Sequence, residues 1–148
     1  MSRKTRRLPN IARAKRGVTF DTGVLIALER RHAGALALLR ACLLSRAPIT
    51  IPAAVVAEWW RGTHRALLES GSLEALTPEL AERAGELLAK TGRSNAIDAT
   101  VVASAAQRGD IIVTGDGHDL RALARTAPNV TIEDLRGGNR DVTTARHA

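Results

Sequence analysis

At 148 residues and 15.8 kDa the chain is the size of one ordinary domain, with 45 % apolar residues for a core and 25 % charged residues for a wetted surface. Its apolar runs are too short for a transmembrane helix, its one cysteine (Cys42) excludes an internal disulfide and a cysteine-built zinc site, and Phe20, Trp59 and Trp60 are too few for a base-stacking sheet. The net charge of +7 points to a nucleic-acid partner, but the whole excess lies in residues 1–16 (Arg3, Lys4, Arg6, Arg7, Arg13, Lys15 and Arg16, with no acid), beyond which the charges cancel.

That leader, residues 1–16, has too little apolar surface to offset its chain entropy and reads as a disordered basic arm, either a phosphate-binding segment or a solvated tail. Val18-Thr19-Phe20 then predicts a strand, followed by a helix from about Val24 that Asp21 or Thr22 can cap. A second helix is expected from about His32 to Ser45. Pro48 to Pro52 reads as a strand bounded by prolines, and Pro52 opens a helix expected to run from Ala53 to about Leu68. Ser72 to Leu76 suggests a short strand, and Thr77-Pro78 starts a helix that Gly92 stops. Ser94 or Asn95 caps the next helix, through Gln107, and Gly109 closes it. Asp110 to Thr114 is the most strand-like run in the chain; a short helix from about Leu120 to Ala124 and a last strand at Val130 to Ile132 follow. Residues 136–148 turn Gly-, Arg- and Thr-rich and read as a frayed tail.

Short unbroken apolar strands alternating with helices imply a three-layer α/β/α domain over 17–135 with a mostly parallel central sheet. In such folds function gathers at the carboxyl ends of the strands. Four acids stand at the edges of segments that should be buried. Asp21 follows the first strand, and Asp116 follows Ile111 to Gly115. Glu58 closes the run Ala53 to Ala57 and shares a helical face with Val55 and Ala54. Asp98 shares one with Val101, Val102 and Ala105.

Local explanations exist for each acid. Asp21 can cap its helix, Glu58 can pair with Arg61, Asp98 can join a cap with Asn95, and Asp116 suits the turn Gly115-Asp116-Gly117. None of these explains the same anomaly at four element ends. Carboxylates about 5 Å apart repel by roughly 3 kcal/mol per pair at an effective dielectric near 20, so four together approach about 20 kcal/mol. That exceeds the stability of a typical domain, about 5–15 kcal/mol. Such a cluster must protonate, spread or hold a hard cation, and oxygen-only donors favour Mg²⁺ or Mn²⁺ over Zn²⁺.

Four segments together resemble a PIN-domain ribonuclease of the VapC toxin type: Val18 to Ile26, Ala57 to Gly62, Asn95 to Ala103, and Val113 to Leu120. The resemblance spans about residues 18–135. It implies a cytoplasmic, Mg²⁺- or Mn²⁺-dependent endoribonuclease acting on RNA, with no membrane association, forming a homodimer and silenced by a cognate antitoxin. It carries over Asp21, Glu58, Asp98 and Asp116 as the acidic, metal-holding site, with Thr114 as a polar supporter. Asp119 is a further acid that can join the site or take the place of Asp116. Gly23 departs from the small polar residue usual there and is expected to loosen the hydrogen bonding around Asp21.

Other chemistries fit less well. Ser104 and Cys42 have no base nearby in sequence for covalent catalysis, and His118 reads as an exposed turn residue. Gly23 occupies the place of the second aspartate of a haloacid-dehalogenase phosphatase. The segment Asp21 to Ile26 lacks the glycine pattern of a dinucleotide site. The rival from another class is a PIN-like scaffold that binds RNA or protein without cutting.

Overall fold

In a computed structural model, residues 16–135 are described. Five strands, β1 (Val18–Phe20), β2 (Ile49–Pro52), β3 (Ser72–Glu74), β4 (Ile111–Thr114) and β5 (Thr131–Asp134), form one sheet in the order β3-β2-β1-β4-β5. Every pairing is parallel, with Val18 opposite both Ile49 and Ile111. The helices are α1 (Thr22–Glu29), α2 (Ala33–Ser45), α3 (Ala53–Trp59), α4 (Pro78–Thr91), α5 (Ala96–Arg108) and α6 (His118–Ala124), with a 3₁₀ turn at Arg65–Ser70. Right-handed crossovers place α1, α2 and α3 on one face and α4, α5 and α6 on the other. The expected three-layer α/β/α fold with a parallel sheet is therefore present.

Burial follows from this arrangement. β1, β2 and β4 are covered on both sides, and every residue in them is buried. Phe20, Ile51, Ile112, Leu25, Val55 and Val101 fill the space between sheet and helices. Helix ends match the local chemistry of the sequence. The Thr77 hydroxyl accepts from the Leu80 N–H at 3.2 Å, Asn95 Oδ1 accepts from the Asp98 N–H at 3.0 Å, and Gly92 and Gly109 close their helices with φ of +68°.

The fifth predicted element needs correction. The helix expected over Ala53 to Leu68 stops at Trp59, and Trp60 is extended. The chain then turns through Gly62 (φ +86°) and His64 (φ +63°) before the 3₁₀ turn. Left-handed backbone at two nearby positions cannot continue an α-helix. The last helix also begins earlier than expected, at His118.

One buried acid lies away from that expected cluster. Asp110, just before β4 and 2 % exposed, accepts from the Thr19 hydroxyl at 2.8 Å and from Arg108 Nε at 2.9 Å. Arg108 also pairs with Glu74 and donates to Ser104, so this site is internally matched. Arg16, counted with the basic arm in the sequence, donates to the carbonyls of Gly109, Asp110 and Asn129 and to the Thr131 hydroxyl. Residues 1–15 of the arm and the tail 136–148 lie outside the described residues.

Candidate active site

The chain leaves β1 for one edge of the sheet and returns to build β4 and β5 on the other, so the strand order reverses between β1 and β4. A crevice opens at such a reversal, beyond the carboxyl ends of the two strands. Asp21 follows β1 directly, and Gly115-Asp116 follows Thr114, the last residue of β4. A cleft of about 510 Å³ at this point is lined by Asp21, Thr22, Ile26, Glu58, Asp116 and Leu135, among others.

Asp21 is held on both oxygens. Oδ1 accepts from the Gly23 N–H at 2.8 Å and the Val24 N–H at 3.4 Å, so it caps α1; Oδ2 accepts from the Thr114 hydroxyl at 2.6 Å. These bonds favour the charged form, yet burial outweighs them and lifts the Asp21 pKa to about 6, with the nearby Asp98 charge adding to the rise. Capping and membership of the acidic cluster are thus not alternatives for this residue. The Thr114 hydroxyl also accepts from the Asp116 N–H at 3.1 Å, fixing the turn that carries Asp116.

Asp98, in the first turn of α5, is lifted to about 6 as well. Burial is the larger cause, and the charges of Asp119, Glu58 and Asp116 add to it. Helix α3 touches both α1 and α5, which brings Glu58 toward the other acids. Glu58 and Asp116 are exposed, and no ion pair between Glu58 and Arg61 forms among the described residues. Asp119 is exposed and paired with Arg93 at 3.2 Å. Asp21, Glu58 and Asp116 therefore line one crevice, and Asp98 stands near enough for the charges of Asp119, Glu58 and Asp116 to act on it; among the described residues, Asp119 is the one of these five acids with an ion-pair partner.

Among the described residues, no three His, Cys, Asp or Glu side chains stand close enough as they are to share one metal ion. The donor chemistry nevertheless suits a hard divalent cation: carboxylates and hydroxyls without sulfur, with Asp21 and Asp98 raised by burial and by neighbouring acidic charge. The Thr22 hydroxyl, buried in the cleft wall, has no hydrogen-bond partner among the described residues. An orphaned polar atom beside clustered acids is what a site for water or for a ligand oxygen leaves behind.

Gly23 does not loosen Asp21, since its own N–H makes the shorter of the two capping bonds. It serves close approach: a Cβ there would lie 2.8 Å from the Gly115 backbone nitrogen, so glycine lets the β4 turn sit against α1. Missed in the sequence was Glu29, the last residue of α1, which accepts from the Trp59 indole at 3.2 Å and faces His64 Nε2 at 3.4 Å. Trp59 is buried and Trp60 only partly so. Spacing alone gives no signal for a contact between residues thirty positions apart.

The fold is thus a parallel α/β sheet with carboxylates at its reversal point. The sequence matches the PIN domain family over residues 18–126, and the chain belongs to that family. Curated proteins give no match. The fold is similar to that of VapBC2 from Rickettsia felis bound to a DNA fragment from its promoter (TM-score 0.62, 16 % identity, covering 79 % of this chain and 97 % of that one). It is similar too to a toxin–antitoxin complex from Klebsiella pneumoniae (0.57, 22 %, 78 % and 96 %) and to DNA-bound VapBC from Salmonella typhimurium (0.60, 16 %, 81 % and 98 %).

Proposed function

We propose that the chain is a VapC-type toxin, an endoribonuclease that hydrolyses RNA phosphodiester bonds with Mg²⁺ or Mn²⁺ held by Asp21, Glu58, Asp98 and Asp116. The observation that carries this reading is the gathering of Asp21, Glu58 and Asp116 around one crevice of a PIN domain, with the Asp98 charge near enough to act on Asp21. A structural role alone would match them with cations, as Arg108 matches Asp110. When bound, a divalent cation supplies charge stabilisation at the phosphate and a more acidic water for in-line attack.

The chain's own residues do the rest. The Thr114 hydroxyl and the α1 N-terminus orient Asp21. Asp98 and Glu58 supply oxygens from α5 and α3, and the Thr114–Asp116 turn supplies one from β4. The partly apolar wall of Ile26, Ala27 and Leu135 limits water on the α1 side. Arg93 keeps Asp119 partnered, which favours Asp116 as the fourth donor.

The similar structures are complexes with antitoxins, which supports a cognate antitoxin as partner. Leu36, Leu43 and Leu44 of α2 are exposed, Leu44 at 80 %, and exposed leucines on one helix suit a protein partner or the second copy of a homodimer. Incubating the chain with RNA and Mn²⁺ should give cleavage that EDTA and Asp98→Asn abolish. Mn²⁺ should also raise the melting temperature of the wild type, and raise it less for Asp98→Asn. Binding of RNA without cleavage at any metal concentration would select the non-cutting scaffold instead.

A further inference from the structure

We infer that the α6 side of the crevice is a phosphate-binding groove that leads a nucleic-acid strand away from the carboxylates, with Arg121 and Arg125 as its contacts. The inference rests on the nuclease reading above and deepens it.

A second cleft, about 470 Å³, is lined by Arg93, Asp116, His118, Arg121, Arg125 and Asp134, among others. It shares Gly115 and Asp116 with the carboxylate cleft, so the two are continuous across that turn. The walls differ in kind. On the α1 side they are partly apolar, with Ile26, Ala27 and Leu135; on the α6 side three arginines converge.

Of those three, Arg93 is engaged by Asp119. Arg121 and Arg125 are exposed and belong to none of the ion pairs formed among the described residues. They lie four residues apart on one face of α6, about 6 Å along the axis. Gly117 shapes the inner end of the groove: a Cβ there would fall 2.7 Å from Arg121 Nη1. The glycine thus gives the guanidinium room beside the Asp116 turn. Arg121 and Arg125 also line a shallower recess with Val130 and Ile132, which extends the path toward β5.

Two guanidinium groups outside every ion pair formed among the described residues, next to the similarly placed carboxylate of Asp116, leave charge on both sides of the turn available to a ligand. A phosphodiester backbone meets both: its reacting phosphate lies at the acids, and following phosphates meet Arg121 and then Arg125. Such contacts position a strand without reading its sequence, because they touch only the backbone.

The test is RNA binding by the full chain carrying Asp98→Asn, measured by anisotropy with a short labelled single strand of mixed sequence across a salt series. Arg121→Ala/Arg125→Ala should weaken binding several-fold and reduce the slope of log K against log salt by about 1.4, the release expected for two phosphates on a single strand. Arg83→Ala/Lys90→Ala, at a separate groove between α4 and α5, should leave the slope unchanged. If the Arg121/Arg125 variant keeps its slope while wild-type protein still cleaves the RNA, the groove is refuted and the nuclease reading stands. Equal losses in both double variants mean a general charge effect and also refute it. Wild-type protein that neither binds nor cleaves RNA overturns both.

Discussion

Thr114 Oγ1 donates to Asp21 Oδ2 at 2.6 Å, tying the carboxyl end of β4 to that of β1 across the point where the strand order reverses. The same oxygen accepts from the Asp116 N–H, so one hydroxyl sets the orientation of two acids from different strands. Thr114 is fully buried, and its position is therefore fixed by packing. Thr114→Val keeps that shape and removes both bonds. It should cost about 1–3 kcal/mol in chemical denaturation, because the Asp116 N–H and Asp21 Oδ2 lose a partner. The Asp21 pKa should rise further above 6, since the lost bond favours the charged form. Thr114→Ser should restore both properties. A valine variant with an unmoved Asp21 titration would show that the bond does not govern this carboxylate.

The metal-free protein should become less stable as pH rises from about 4 to about 7. Asp21 and Asp98 titrate near 6 when folded and near 4 when unfolded, so across that window the folded state binds more protons. Stability then falls with rising pH, on the order of 2 kcal/mol in total once solvent screening at these partly open positions is allowed for. This is the reverse of the usual acid denaturation of paired carboxylates. Urea melts in EDTA at pH 4.5 and pH 7 check it, and Asp98→Asn should flatten the difference. An apo protein more stable at pH 7, with the mutation making no difference, would mean that the acids are matched by cations in solution.

Gly23→Ala should be costly although Gly23 lies near the surface of the crevice. The added Cβ would meet the Gly115 backbone nitrogen at 2.8 Å and the Gly115 Cα at 3.1 Å, and backbone cannot swing aside as a flexible side chain can. We expect a loss of about 1–3 kcal/mol, as for other overpacked sites, together with weaker Mn²⁺ binding as the β4 turn moves off α1. Gly85→Ala in α4, where a Cβ meets nothing within 4 Å, is the contrasting control and should be neutral or stabilising. Thermal melts and Mn²⁺ titrations of the two variants distinguish a site-specific effect from the general cost of losing glycine.

What the sequence made legible was what local chemistry dictates. Asp21 and Asn95 are small polar residues at the starts of apolar helices and do cap them. The acids stood out because carboxylates at the ends of buried segments are anomalous wherever they occur. The helix expected through Leu68 ends at Trp59, and the positive φ of Gly62 and His64 keeps the path from resuming as α-helix. Asp110 passed as part of a strand because its partners, Thr19 and Arg108, come from β1 and α5. Arg16 shares the charge of its neighbours in sequence, while its hydrogen bonds reach Gly109 and Thr131, far along the chain. Long-range pairing decides which buried charges are matched, and spacing does not reveal it.

Glu29 should prove to be a positioning residue for Glu58. Its carboxylate accepts the Trp59 indole N–H at 3.2 Å, and Trp59 ends α3 one residue beyond Glu58. Trp59 is 5 % exposed, so removing its acceptor leaves a buried donor unpaired. Glu29→Leu should therefore cost about 1–3 kcal/mol, blunt the fluorescence of the buried indole as α3 loosens, and lower cleavage through Glu58. Glu29→Gln keeps an oxygen for the indole and should behave nearly as the wild type. The contact with His64 contributes little, because the imidazole is 48 % exposed and solvent screens it. His64 instead sits at φ +63°, where a side chain is strained, so His64→Gly should be neutral or stabilising by up to about 1 kcal/mol. Melts, tryptophan emission and RNA cleavage for the three variants decide the matter. Equal damage from Glu29→Gln and Glu29→Leu, with His64→Gly also impaired, would transfer the role from the indole bond to the Glu29–His64 pair.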